Sequence, residues 1–159
     1  MSLLNLRTRR LQALPWQDLA SHELAALFAP AVVQWLPEGF QSPDGDQARR
    51  GFLSRVSQQA EVVALRNAAG AGTGLIILSL PEETGSTRNL GYLFAETVWG
   101  QGLASEMICG LQTHFQGSGV ILSGGVMREN AASSRVLEKA GFTPEPAGAE
   151  IVYSWHSGS

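Results

Sequence analysis

The sequence predicts an α/β (α+β) protein with a mixed, mostly antiparallel central sheet of about six to seven strands flanked by helices. Three observations support this fold class. Leu103, Met107, Leu111 and Phe115 recur every four residues, which is the spacing of an amphipathic helix. Residues 75–80 are nearly all apolar, as expected of a central strand that is covered on both faces. Strand-like and helical segments follow one another in the order β-αα-βββ-α-β-α-β.

The N-terminal part is expected to contribute one strand and two helices. Leu4–Leu11 is predicted to form the opening strand, with its arginines on an exposed side. A helix is predicted over 16–28, because its apolar residues share one face. The apolar segment 31–40 is bounded by prolines and is interpreted as a loop that covers the core or forms one wall of a pocket. Ser42-Pro43-Asp44 is a helix-start signal for the second helix.

The rest of the chain continues the sheet. Strands are predicted at 61–65, 75–80 and 90–94, separated by polar segments that contain glycine or proline. A strand from Val120 toward Val126, a helix from Ala131 and a strand over 151–155 follow the helix at 103–115. No internal repeat or linker interrupts this order. We therefore expect one domain that spans residues 1–159.

Composition and charge exclude several functional classes. Hydrophobic residues at 44% and charged residues at 16% are typical of a soluble globular protein. The net charge of −3 argues against a nucleic-acid partner, and no apolar run reaches membrane-spanning length, so a cytoplasmic location is expected. His22, His114 and His156 are scattered, and no metal site is predicted. The single cysteine, Cys109, is expected to be a buried structural thiol.

The segment 90–105 has the sequence features of an anion site. A predicted strand, a turn containing Gly100 and Gly102, and the start of a helix follow one another. The first N–H groups of a helix have no partners inside it, and the helix dipole adds positive charge. Neither a P-loop nor the complete dinucleotide fingerprint is present. Such a turn alone is also compatible with a simple tight connection.

A second motif makes the pattern specific. Residues 99–104 read Trp-Gly-Gln-Gly-Leu-Ala, and residues 130–142 match the pattern N-x-x-S-x-x-x-L-E-K-x-G-F. In this order the two motifs resemble the GNAT superfamily of acyl-CoA-dependent N-acetyltransferases, in the branch that includes the ribosomal-protein N-terminal acetyltransferases. The resemblance implies a GNAT-like sheet in which a parallel pair of strands splays apart.

The resemblance also implies a binding site for acetyl-CoA as co-substrate. Backbone groups of Leu93 and Phe94 would bond the pantetheine arm in the gap between the splayed strands. Asn130 would cap its helix and reach the same arm, and Ser133 would lie near the sulfur and protonate or hydrogen-bond the leaving thiolate. The family's usual Gln or Arg at the first motif position is Trp99 here. The pyrophosphate would be held by backbone amides of Gln101, Gly102, Leu103, Ala104 and Ser105.

The implied function is acetyl transfer from acetyl-CoA to a primary amine by direct attack in a ternary complex. The acceptor is either a protein N-terminal α-amine or a small-molecule amine, and the protein is expected to be a monomer or a homodimer. Many relatives carry a glutamate on the fifth strand, where residues 123–125 read Ser-Gly-Gly. This missing carboxylate, together with Trp99, supports an alternative, a non-catalytic acyl-CoA-binding or sensing domain; a plain interaction protein is a third. Candidates for the base are bulk water, Glu38, Glu150, Tyr153 and His156.

Overall fold

A computed structural model describes residues 2–82 and 84–158 and contains one seven-stranded sheet. Its strands are β1 Gln12–Pro15, β2 Ala60–Arg66, β3 Gly72–Ser79, β4 Thr87–Phe94, β5 Ile121–Met127, β6 Thr143–Ala147 and β7 Glu150–His156. The order across the sheet is β1-β2-β3-β4-β5-β7-β6. Neighbouring strands are antiparallel except for β4 and β5, which are parallel. The predicted fold class is confirmed.

Helices cover both faces of this sheet. They are α1 Ser21–Leu27, α2 Pro30–Val33, α3 Asp46–Val56, α4 Leu103–Phe115 and α5 Ala131–Lys139. One buried cluster contains the apolar stripe of α4 together with Leu137 of α5, and the other contains the apolar residues of α1, α2 and α3. In the described parts of the chain no helix is both long enough and apolar enough to cross a membrane.

The parallel pair splays as the resemblance implied. β4 and β5 are paired at Thr87–Ile121, Arg88–Leu122 and Asn89–Ser123 only. Beyond that point β4 and β5 no longer pair with each other. Residues 90–94 of β4 still pair with β3, and residues 124–127 of β5 still pair with β7. The sheet is therefore split along half the length of its two central strands.

The predicted opening strand over Leu4–Leu11 is wrong. Leu3–Asn5 forms a 3₁₀ turn, an isolated bridge joins Arg7 to Gln12, and β1 begins only at Gln12. The reason is a tight reversal, in which the backbone N–H of Thr8 donates to the carbonyl of Leu11 at 2.8 Å. The arginines after Thr8 therefore lie on this turn, and not along a strand face.

The helical segments before β2 are shorter than predicted. Residues 16–18 form a 3₁₀ turn before α1, and α3 begins at Asp46 after Gly45, whose φ of 89° a glycine adopts without strain. Pro30 lies in the first turn of α2. Proline is tolerated there, because the N–H that it lacks would have no partner inside the helix. The predicted loop at 31–40 thus contains α2 and a 3₁₀ turn at Glu38–Phe40.

The elements after β4 follow the sequence closely. α4 covers Leu103–Phe115 as predicted, and α5 begins after its N-cap, Asn130. Two features differ. β6 was not predicted, because its prolines at 144 and 146 oppose strand formation, yet an edge strand tolerates them. Cys109 is exposed and not buried, because it lies beside the apolar stripe of α4 and outside it.

Candidate active site

The split between β4 and β5 opens into a cavity of about 640 Å³. Its walls include the unpaired halves of both strands, the first turn of α4, one side of α5 and the segment 31–36. The described residues that line it include the cations Arg135 and Lys139 and no carboxylate. An elongated ligand with an anionic end fits a cavity with these walls, because unpaired main-chain groups and cations are available to it.

The N-terminus of α4 lies at one end of this cavity. Gly102 is its N-cap and has φ 78° and ψ 14°, a left-handed conformation that glycine adopts without a steric penalty. The first helical bond runs from the N–H of Glu106 to the carbonyl of Gly102. Among the described residues, no group accepts a hydrogen bond from the five preceding N–H groups, which belong to Gln101, Gly102, Leu103, Ala104 and Ser105. These free donors lie where the sequence predicts an anion site.

Arg10 ties this turn to the N-terminal reversal, a contact that the sequence did not reveal. Its Nη1 donates to the carbonyl of Gln101 at 2.9 Å, and its Nε donates to Oε1 of Glu106 at 2.7 Å. Burial raises the pKa of Glu106, but hydrogen bonds from Thr8 and Arg10 outweigh it, so the pKa lies below its usual range. The motif's first position, Trp99, supplies no cation, and Arg10 places a guanidinium beside the turn instead.

Main-chain groups at the end of β4 differ in direction. The N–H of Ala95 donates to the carbonyl of Thr73 at 2.9 Å. Because main-chain groups alternate in direction along an antiparallel pair, the groups of Leu93 face β3 and those of Phe94 face the cleft. The carbonyl of Phe94 accepts the indole N–H of Trp99 at 2.8 Å. The N–H of Phe94 is therefore the main-chain donor at this position of the cleft. The indole of Trp99 holds the end of the strand through its bond to the Phe94 carbonyl.

The two predicted residues of α5 both lie at the cavity. The side chain of Asn130 accepts from the N–H of Ser133 at 3.4 Å, which is the N-cap role that the sequence indicates. The hydroxyls of Ser133 and Tyr92 are 3.0 Å apart, across the cleft between α5 and β4. Burial raises the pKa of Tyr92, although its hydrogen bond with Ser133 opposes that shift. Tyr92 therefore keeps its proton at neutral pH, and either hydroxyl can donate to the other.

The candidates for a base occupy very different places. The Tyr153 side chain is buried and its hydroxyl is 3.4 Å from a carboxylate oxygen of Glu138. His156 pairs with Ile121, at the end of β5 opposite to the cavity. Glu38 is exposed and does not line the cavity. None of these three side chains lines the cavity, so their positions do not support any of them as the base.

Glu150 differs because its carboxylate lies against Gly125, which lines the cavity. A Cβ atom at position 125 would overlap Oε2 of Glu150. Glu150 pairs with Met127 on the neighbouring strand, so its side chain shares a sheet face with those of residues 127 and 125. A carboxylate from β7 thus stands where the sequence of β5 lacks one. The pattern Gly124-Gly125 is the only sequence signal for it.

No metal is indicated by the geometry. In the described ranges, no three His, Cys, Asp or Glu side chains come together in a way that would hold an ion. The site consists of hydroxyls, main-chain donors, one neighbouring carboxylate and cations. Such groups suit acyl transfer, in which protons move and an oxyanion develops.

A mixed sheet whose parallel pair splits beside a free helix N-terminus is the arrangement that the resemblance to acetyltransferases implies. A family model described as an acetyltransferase (GNAT) domain matches residues 10–143, and the chain belongs to this family. No curated protein matches the sequence at a significant level.

Solved structures share the fold. The ribosomal-protein α-N-acetyltransferase RimL in complex with coenzyme A is 17% identical, with a TM-score of 0.74 over 96% of this chain and 97% of that chain. A ribosomal-protein alanine acetyltransferase from Vibrio fischeri is 16% identical, with a TM-score of 0.70 over 92% of each chain. A microcin self-immunity acetyltransferase in complex with acetyl-CoA and AMP is 14% identical, with a TM-score of 0.73 over 93% of each chain. The GNAT fold that the motifs implied is confirmed.

Proposed function

We propose that this protein transfers an acetyl group from acetyl-CoA to a primary amine by direct attack in a ternary complex. The observation that carries the proposal is the meeting of two features in one cavity. Strands β4 and β5 separate beyond Asn89 and Ser123. The free N–H groups at the start of α4, which begins at Leu103, lie at the same cavity. Both features fit one long ligand with a diphosphate.

The chain offers each part of the coenzyme a matching group. The free N–H groups of residues 101–105 would bind the diphosphate, and Arg135 and Lys139 of α5 add positive charge to the same cavity. The N–H of Phe94 would bond the pantetheine arm in the cleft, while Asn130 holds the start of α5 in position. When bound, the coenzyme supplies an activated acetyl thioester.

Proton movements would be divided between two hydroxyls and a carboxylate. In the reaction the amine nitrogen forms a bond to the acetyl carbon, the C–S bond breaks, the amine loses a proton and the sulfur gains one. Ser133 is proposed to give the sulfur its proton, and Tyr92, 3.0 Å from it and protonated at neutral pH, would replenish that proton and regain its own from water entering the open cleft.

The amine is mostly protonated at neutral pH and must lose its proton before attack. We assign this step to Glu150, directly or through one water, because its carboxylate reaches Gly125 at the cavity wall. In the described part of the chain this carboxylate has no hydrogen-bond or ion-pair partner that would occupy it. Because Gly125 has no side chain, Glu150 can occupy this position.

The experiment measures coenzyme binding and turnover separately. Calorimetry with CoA tests the site, and release of free CoA from acetyl-CoA in the presence of an amine panel tests transfer. Ser133→Ala should retain binding and lose most of the turnover, because it lacks only the proton donor. Binding without turnover on any amine would identify the non-catalytic acyl-CoA-binding alternative, and absence of CoA binding would refute both functions.

A further inference from the structure

The face of the cleft opposite α4 forms a second, chemically distinct half of the cavity. Leu122 and Val126 of β5 pack in the cluster that contains α4. Because side chains alternate along a strand, Gly125 and Met127 face the other side, toward the segment that follows α1. An acceptor must approach from this side, since the other side is filled by α4 and α5.

This half of the cavity is apolar and aromatic. Segment 31–36 supplies Val32, Trp35 and Leu36, and it adds a single amide, Gln34. Trp35 is 38% exposed, although Val32 beside it is buried. A large aromatic ring left partly open at a cavity wall offers a flat apolar surface with an edge for contact. On the opposite wall Gly125 has no side chain, and Oε2 of Glu150 lies in the space that a Cβ atom there would take.

The charged groups at the cavity restrict the number of ammonium groups that the acceptor can carry. None of the described residues lining the cavity carries a carboxylate. A polyamine or aminoglycoside would bring several ammonium groups, and each would need an anionic partner in a desolvated site. Glu150, beside the lining residue Gly125, is placed to receive one ammonium.

From this arrangement we propose that the acceptor is a monoamine on an aromatic body, of the arylalkylamine class, whose ring packs on Trp35 while its nitrogen lies toward Glu150. The inference rests on the proposed acetyl transfer and narrows it. It excludes polycationic acceptors, because the site offers one carboxylate and its other walls on this side are apolar, so most ammonium groups would lack a partner.

The test compares amines at fixed acetyl-CoA. We expect kcat/KM for 2-phenylethylamine and tryptamine to exceed that for spermidine and kanamycin by at least about tenfold. Faster acetylation of the polycations, or acetylation of peptide α-amines with none of the arylalkylamines, would overturn the inference while leaving acetyl transfer intact. CoA binding with no turnover of any amine would instead refute the transfer itself.

Variants of Trp35 locate the ring. Trp35→Ala should raise KM for tryptamine about tenfold, the size expected for a lost aromatic pair, and leave KM for acetyl-CoA unchanged. Trp35→Phe should restore most of the affinity, which a merely structural defect would not allow. Leu80→Ala is the matched control, because Leu80 is 46% exposed and does not line the cavity. Equal KM values for tryptamine in wild type and Trp35→Ala would contradict the placement.

Discussion

Arg10 gives the most specific prediction about coenzyme binding. Its Nη1 holds the carbonyl of Gln101 at 2.9 Å, and its Nε and backbone N–H both bind Glu106 at 2.7 Å. Fixing that carbonyl keeps the turn in the shape that directs the neighbouring N–H groups into the cavity. Arg10→Ala removes the bond to Gln101 and frees the turn.

The magnitude follows from the contacts. One hydrogen bond contributes roughly 1 kcal/mol, and the ion pair with Glu106 adds little, because the Arg10 side chain is 42% exposed. If the turn must be reordered on binding, about 1 kcal/mol corresponds to roughly a fivefold rise in Kd for CoA. Pantetheine lacks the diphosphate, so its affinity should not change.

The assay is calorimetry with CoA and pantetheine on wild type and three variants, Arg10→Ala, Arg10→Lys and Arg9→Ala. Arg9→Ala is the matched control, because Arg9 is exposed on the same turn and makes no side-chain hydrogen bond within the described residues. Arg10→Lys keeps the charge but loses the forked geometry, and should give an intermediate Kd. An equal loss of affinity for pantetheine, or an unchanged Kd for CoA in Arg10→Ala, would refute the reasoning.

Three further predictions concern the proton-transfer groups and the turn. Ser133→Ala should lower kcat by roughly 100-fold and Tyr92→Phe by roughly tenfold, both with unchanged KM for acetyl-CoA in steady-state kinetics; equal kcat in Tyr92→Phe and wild type would exclude the relay. Gly125→Ala should displace the flexible end of Glu150 and lower kcat/KM several-fold with little change in thermal midpoint; additive losses in the double variant with Glu150→Gln would show that the two residues act separately. The pKa of Glu106 is lowered in the fold, so its stabilisation is present above the ordinary carboxyl range and is lost as pH falls through the lowered value. The difference in unfolding free energy between wild type and Glu106→Gln, measured by denaturant titration, should therefore be largest near neutral pH and shrink below about pH 4; a difference that grows in acid would contradict this.

Local signals in the sequence predicted α4 and α5, which form one end of the cavity. The four-residue spacing of α4 and the cap residue Asn130 depend on neighbours within a turn or two, so they can be recognised without the fold. The same is true of Gly141, with φ 89°, and the bond from the N–H of Phe142 to the carbonyl of Leu137, which together close α5 in a Schellman motif. β1 was misplaced because it pairs with residues 63–66 of β2, far along the chain, and β6 was missed because its prolines at 144 and 146 oppose strand formation except at a sheet edge.

The sequence by itself determined the fold class, the glycine turn before α4 and the position of Ser133 in the first turn of α5. Tertiary structure decided which groups meet it. Tyr92 lies 41 positions away in the chain, Arg10 crosses from the N-terminal reversal to the turn at Gln101, and Glu150 of one strand fills the place that Gly125 leaves on another. Each of these contacts joins separate elements of the sheet and its helices, and spacing along a single chain carries no record of such distances.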